Sequence, residues 1–453
     1  MKKIYLIGLA FALFASSCSD VLEKTPSSEL PTLEAISTIT DLTNAVNGVY
    51  TKQATDVGSY GAEFTLYADL KGSDFMSVSD VNHAGPMYRY QLGKHDALPY
   101  NFYYVFYKSI SRINSVLQAA ETIEGSENLR GELYGMRALY HFDLARLFAK
   151  LPTSANMGGL GVVLSTEVYP TDYVGARATL QETYDQILKD LNTALPLLTK
   201  DKNQGHMNYW AALGIRARAN LYLGKWADAL ADCREIMNNS PYKLYSRDEY
   251  LGVWDKEGTN EAIFEILVTP QYNAQRNSIG YFTHSDGYGE CAATKSFVEE
   301  LKNHPGDIRT ELFKEEGSPY AGTYPQKYKG RDGQIYVNNP KILRLSEIYL
   351  IAAEAALKSN DAPAAVDYMN ALRRNRIEDY KDVASVTIDD ILLERRLELF
   401  TEGHGAWDAW RNGKSINNNF VGEVGPEDYR TIIAIPIDEI TVSGGLLVQN
   451  EGY

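Results

Sequence analysis

Along residues 208–242, apolar and small side chains recur every three to four positions, twice over. Leu213, Ala217, Leu221 and Tyr222 come first; after Gly224 the pattern resumes with Trp226, Ala229, Leu230, Cys233 and Ile236. A period near 3.6 residues interrupted by glycine predicts two helices joined by a tight turn. Pro241 ends the second, because its ring clashes with the preceding turn and it has no N–H to donate. The small Ala217 and Ala229 let the two axes approach closely. Residues 342–374 repeat the plan: Leu345, Ile348, Tyr349, Ala352 and Ala356 form one stripe, Asn360 and Asp361 the turn, and Ala365, Tyr368, Met369 and Leu372 the other. A third pair is predicted from 130–150 and 180–198, and a fourth from 33–53 and 99–123, each split by an insert.

A helix pair of roughly 34 residues with glycine, aromatic, alanine and proline in that order resembles a tetratricopeptide unit. One pair cannot bury its apolar faces alone, so each predicts neighbours of its own kind. The expected fold class is therefore mainly all-α, a tetratricopeptide-like helix-pair scaffold with long irregular inserts. Two regions are expected, 32–240 and 241–453, the second carrying a loop-rich insert at 270–331. A scaffold of this kind also serves as a rigid surface for protein partners, and that reading stays open.

The N-terminus reads as an address. Lys2 and Lys3 precede an apolar run at 4–14 that is too short to span a bilayer, which is the pattern of a secretory signal. Ala15-Ser16-Ser17 ahead of Cys18 resembles a bacterial lipobox. The expectation is a signal at 1–17, acylation of Cys18 after cleavage, and a polar tether at 18–31. Several acyl chains hold a protein on a membrane without spanning it. No other stretch approaches the roughly 20 apolar residues of a spanning helix. Loss of a signal with two lysines and no acid takes the net charge from −15 to −17. That surface argues against nucleic acid as a partner. Cys233 and Cys291 form no evident disulfide framework and are expected free and buried.

Tyrosine is the compositional outlier, with 32 against 14 phenylalanines and 5 tryptophans. Tyr140, Tyr222, Tyr349 and Tyr368 fall on helix stripes and read as core. Others sit where no helical period exists. Residues 58–99 carry Asp69, Asp74, Tyr88, Arg89, Tyr90 and His95, and run into Tyr100-Asn101-Phe102-Tyr103-Tyr104. The 270–331 insert carries Tyr272, Tyr281, His284, Asp286, Tyr288, Tyr320, Tyr324 and Tyr328. Binding residues concentrate in long loops held by a rigid scaffold. Tyrosine suits sugars, since its face covers the C–H side of a pyranose while its hydroxyl joins neighbouring polar groups at the rim.

Catalytic patterns are weak. There is no HExxH, the seven histidines are scattered, and no serine or cysteine sits in a nucleophile elbow. Gly413-Lys414-Ser415 mimics the end of a phosphate loop, but Asp408 stands where its first glycine belongs. A glycosidase needs two carboxylates opposed at about 5–5.5 or about 6.5–9.5 Å; Asp69 with Asp74, and Asp286 with Glu290, are the candidates. No enzyme, metal or cofactor is expected.

Longer motifs point to one family. RGELYGMRALYHFDLARLFAKLP supplies Arg137, Ala138, Tyr140, Leu144, Leu147 and Pro152. LRLSEIYLIAAEA supplies Arg344, Glu347, Leu350 and Glu354. ERRLELFTEGHGAWDAWRNG spans residues 394–413, and the tail keeps Pro436, Glu439, Gln449, Asn450, Gly452 and Tyr453. With CSDVLEKTP after the signal, these resemble the SusD/RagB family of nutrient-binding outer-membrane lipoproteins of Bacteroidetes over residues 18–453. The chain departs from that pattern at Ala149, Gly405, Ala406 and Ala434. The resemblance implies a lipid-anchored protein facing the cell exterior. Such a protein captures a glycan, less often a peptide, and delivers it to a SusC-like TonB-dependent transporter for polysaccharide utilization. It also implies ligand contacts just before and at the start of the second helix and in the middle insert. Carried over by position, these are Asp74, Tyr88, Arg89, Tyr90, Tyr100, Asn101, Tyr103, Tyr281 and Tyr288, where segment 58–104 meets the insert. The motifs themselves read as structural. Arg395, Arg396, Glu398 and Glu402 have the spacing of ion pairs on one helix, and Gly403 that of a helix stop with Trp407 and Trp410 packed behind it.

Overall fold

The computed structural model describes residues 35–78, 83–153, 156–170 and 172–453. The predicted signal at 1–17, Cys18 and the tether at 18–31 lie outside the described residues.

The scaffold helices are α1 (Ile39–Thr55), α2 (Ala97–Ala120), α3 (Glu127–Phe148), α4 (Leu180–Ala194), α5 (Tyr209–Tyr222), α6 (Trp226–Asn239), α7 (Leu345–Lys358), α8 (Ala362–Arg374) and α9 (Ile388–Glu398). Several starts are set locally by reciprocal caps. Thr38 accepts from the Asp41 N–H at 3.2 Å while the Asp41 carboxylate accepts from the Thr38 N–H at 3.0 Å, which pairs two otherwise orphaned donors. Thr179 with Glu182 and Thr387 with Asp390 do the same for α4 and α9.

All four predicted pairs form: α1 with α2, α3 with α4, α5 with α6, and α7 with α8. They stack in order, α2 on α3, α4 on α5 and α6 on α7, and α9 closes against α7. Gly224 turns between α5 and α6 at φ +69°, and Asn360 between α7 and α8 at φ +62°. Gly214 admits the strand Lys341–Arg344 against α5; a Cβ there would lie 2.3 Å from Leu343 Cδ2. Helix α3 is buried around most of its circumference, so its polar side chains need partners inside. Arg137 finds them in Asp190, at 2.7 and 2.8 Å, and in Asn114 at 2.8 Å. Cys233 and Cys291 are free and buried.

The insert is less irregular than its sequence suggests. Strand Phe75–Ser77 pairs with Cys291–Ala293, which pairs with Gly322–Pro325 and then Phe313–Glu316, all antiparallel. Strands of three or four residues are too short to show an alternation. The sheet nonetheless ties segment 58–99 to the insert.

The paired-arginine block departs from expectation. Helix α9 stops at Glu398 with Leu399 as its C-cap, so Glu402 is off the helix and Gly403 is not its stop. Gly403, at φ +81°, sits in the following turn and donates its N–H to Asp69 at 2.6 Å. The charges pair across the fold instead of along the helix. Arg395 meets Asp408 at 2.6 Å, and Arg396 meets Asp74 at 2.6 and 2.7 Å. Glu398 accepts from Arg344 and Arg376, and Glu402 from Arg344 and Lys327. Each local neighbour already has a better oriented partner brought in by another element. Trp407 and Trp410 are buried as expected.

Burial alone would raise the carboxyl of Glu398, but the guanidiniums of Arg376 and Arg344 hold it well below the usual carboxylate range. Glu347 is likewise pushed up by burial yet held at about 2, chiefly by Arg218. Both folded values lie below the unfolded one, so this stability is complete above the ordinary glutamate value of 4.5 and is lost as pH falls from there towards about 2. Melting temperature recorded against pH should therefore drop over that acid window. Glu398→Gln leaves buried guanidiniums underpaired and should cost about 3–5 kcal/mol in denaturant titration at neutral pH.

Candidate functional site

The pairing of Phe75–Ser77 with Cys291–Ala293 lays residues 83–90 beside 279–290. Ser278 caps the short helix Ile279–Thr283, accepting from the Tyr281 N–H at 3.3 Å. The chain then returns so that the Tyr288 N–H reaches the Tyr281 carbonyl at 2.7 Å. Gly287 permits this approach, since a Cβ there would lie 2.4 Å from that oxygen. The two rings meet edge to face at 4.8 Å. His83 stacks on Tyr288 with centroids 4.0 Å apart and planes 13° apart. Glu290 sits beneath, accepting from the Ala84 N–H and 3.3 Å from His83 Nδ1. Burial raises the Glu290 carboxyl, against the opposing pull of His83 and the Ala84 N–H.

Arg89 folds back over Gly85, where a Cβ would lie 2.5 Å from its guanidinium. The same guanidinium lies 5.9 Å from the ring of Phe420, which is 58 % exposed. Phe420 is held out by a turn in which Asn418 Oδ1 accepts from the N–H groups of Phe420 and Val421, at 2.8 and 3.1 Å. The Asn418 amide donates to the Tyr88 carbonyl at 3.0 Å, locking this turn onto the 83–90 segment. Three separate stretches thus present ring surface (His83, Tyr281, Tyr288, Phe420) beside a guanidinium and a carboxylate. Such a face can stack on apolar ring surface and bond hydroxyls at the rim.

Of the nine residues carried over by position, Arg89, Tyr281 and Tyr288 come together here, with Tyr88 buried beneath. The others lie elsewhere. Tyr90 is buried, its hydroxyl on the Lys71 carbonyl, its ring 4.5 Å from the Lys71 ammonium and 6.4 Å from Trp410. Asp74 is occupied by Arg396, at the edge of a separate cavity of about 300 Å³. Tyr100 is exposed and stacked on Tyr104 at 5.6 Å, while the Asn101 backbone packs against the Gly58 turn. Tyr103 packs on Tyr107 and Phe148 at the edge of a groove of about 350 Å³ shared with Tyr169 and Tyr173. His83 and Phe420 are the members that sequence reasoning did not place, and Glu290 entered it only as a candidate glycosidase carboxylate. An exposed aromatic in the polar run Asn417-Asn418-Asn419-Phe420 was the available signal for Phe420. Neither carboxylate pair proposed for a glycosidase is a free pair. Asp69 is buried, pushed up to about 7 by that burial, and holds the N–H groups of Gly403 and Gly405. Asp286 is exposed near His284, whereas Glu290 is buried.

Residues 20–223 match a family model described as starch-binding and associating with the outer membrane, and residues 302–453 match the SusD family model. A SusD superfamily protein of Bacteroides vulgatus is 30% identical, with a TM-score of 0.87 over 92% of this chain and 99% of that one. The chain belongs to the SusD family. A superfamily member from Bacteroides thetaiotaomicron is 28% identical, with a TM-score of 0.86 over 91% of this chain and 100% of its own. A SusD-like protein of Bacteroides ovatus is 23% identical over 67% of this chain and 63% of its own length. A laminarin-binding SusD-like protein shares the fold, at 21% identity and a TM-score of 0.76 over 92% of this chain and all of that one.

In this SusD-family chain the signature residues of the C-terminal half are internal. Arg344, Glu347, Glu354, Glu398, Glu402 and Arg411 are all buried and paired with one another or with other core charges. Of the rings of the candidate face, the exposed Phe420 carries little of the core, whereas Tyr288 also packs against Phe282. Phe420→Ala should therefore change unfolding free energy by under about 0.5 kcal/mol, whereas Tyr90→Ala should cost about 3–5 kcal/mol as a buried aromatic deletion. Chemical denaturation of the two variants checks the contrast.

Proposed function

We propose that this protein is a lipid-anchored, cell-surface binding protein. It captures an oligo- or polysaccharide on the His83–Arg89–Tyr281–Tyr288–Phe420 face and delivers it to a SusC-like TonB-dependent transporter in the outer membrane. The observation that carries the reading is that face. Rings from three distant stretches of the chain converge at the surface beside Arg89 and above the buried Glu290, with no opposed pair of free carboxylates among them. Membership of the SusD family, and the laminarin-binding protein that shares its fold, support a glycan as the ligand class. The expected signal at 1–17, Cys18 and the polar tether at 18–31 support the anchor.

Titration calorimetry with glucan, mannan and xylan oligosaccharides, and with oligopeptides as the competing class, identifies the ligand. Replacing one stacking ring, as in Tyr288→Ala or Phe420→Ala, should weaken the bound glycan by about 1 kcal/mol, with the melting temperature unchanged in Phe420→Ala. Full affinity in both variants would move the ligand off this face, and binding of peptides alone would change its class. Cys18→Ala should shift the protein from the membrane pellet to the soluble fraction; retention after a salt wash would refute the anchor.

A further inference from the structure

A groove of about 910 Å³ lies between α1 and α2, and none of its lining residues belongs to the His83–Tyr288 face. In a stack of helix pairs each groove is covered by the next pair, and among the described residues no further pair covers α1 and α2. Two features bear on what this groove can hold. First, some of its polar groups are available: the side-chain amides of Asn44 and Asn47 and the guanidinium of Arg112 have no partner among the described residues. Gly48 leaves the floor bare, since a Cβ there would meet nothing within 4 Å. Second, its charge runs against that of the chain. With 59 acidic and 44 basic residues overall, the charged side chains lining it are Lys52 and Arg112, both cations. Lys52 shares its charge with Asp56 at 3.3 Å, and Arg112 has no ion pair among the described residues. At one end Tyr272, 57 % exposed, brings a ring across from the insert.

We propose that this groove binds an anionic glycan, one whose sugar units carry a carboxylate or a sulfate. A guanidinium presents two parallel N–H donors that match either group. Arg112 takes the acidic group, Asn44 and Asn47 the ring hydroxyls, and the Tyr272 ring the C–H face of one sugar. A protein partner is the competing occupant; the cationic side chains Lys52 and Arg112, set in an acidic chain, favour an anionic ligand over it. The site is separate from the face assigned above and adds an acidic class of ligand to it.

The test uses the full mature chain, with tetragalacturonate and a chondroitin sulfate tetrasaccharide as probes and cellotetraose as the neutral control. At least one acidic probe should bind. Arg112→Ala should weaken it about tenfold or more, Arg112→Lys should restore part of the loss, and Tyr272→Ala should weaken it about fivefold. Binding should fall as salt rises from about 50 to about 500 mM. Tyr288→Ala should leave it unchanged, and the Arg112 and Tyr272 variants should melt with the parent. Failure of both acidic probes to bind, unchanged affinity in Arg112→Ala, or salt-independent binding shared with cellotetraose would overturn the assignment. So would loss of acidic-probe binding in Tyr288→Ala, which would place the ligand on the other face. Loss of transporter co-purification in Arg112→Ala without any acidic-probe binding would make the groove a protein contact instead.

Discussion

The arrangement depends on a cluster of charges with no access to water. Arg309, Lys327, Arg344, Arg373 and Arg376 face Asp307, Glu261, Glu394, Glu398 and Glu402, with Arg344 and Glu398 at the centre. Taking so many ions out of water costs several kcal/mol each unless every one is met with good geometry. That condition is a constraint on shape. The members come from the strand Lys341–Arg344, helix α9, the segment around Arg376, the residues near 261, and the insert at 307–327. None of these can shift without stranding a charge. Aromatic rings close over the cluster: Trp254 lies 4.7 Å from the Lys327 ammonium and 5.3 Å from the Arg344 guanidinium, and Tyr250 lies 4.3 Å from that of Arg376.

The consequence reaches the surface. Arg309 and Lys327 belong to the insert, so the cluster pins its base, and the four-stranded sheet carries that position to Cys291–Ala293 and the rings before it. Tyr281, Tyr288 and His83 are thereby held at fixed separations even though they lie in loops by sequence. A rigid aromatic face loses little conformational entropy when a ligand lands on it, which favours affinity from few contacts. The helix stack plays the complementary part: its internal grooves are closed by neighbours, and no other described helix pair covers its first groove.

Much of the scaffold was legible along the chain. Four helix pairs, their turns at Gly224 and Asn360, and the buried stripes all follow from period, small residues and breakers, because a helix reports its burial every three or four residues. The 394–413 block was legible as structural but not in detail. Spacing suggested pairs along one helix, whereas Arg395, Arg396, Glu398 and Glu402 each found partners 13 to more than 300 residues away. Local spacing states which charges are near one another in the chain, and a buried charge takes whichever partner excludes water best.

What the sequence determined by itself was the helical architecture, the net acidic charge and the family, since each is written in composition, in short-range period or in contiguous motifs. The site was only half written there. Tyr281, Tyr288 and Arg89 stood out as tyrosine and arginine in unstructured stretches, and so did Tyr90 and Asp74, which the fold turned inward onto Lys71 and Arg396. His83, Glu290 and Phe420 gained their place only through the antiparallel pairing of Phe75–Ser77 with Cys291–Ala293 and the Asn418 turn. Loop side chains carry no period that reveals which way they face. That choice belongs to strand register and to contacts made across hundreds of residues, and only the tertiary structure decides it.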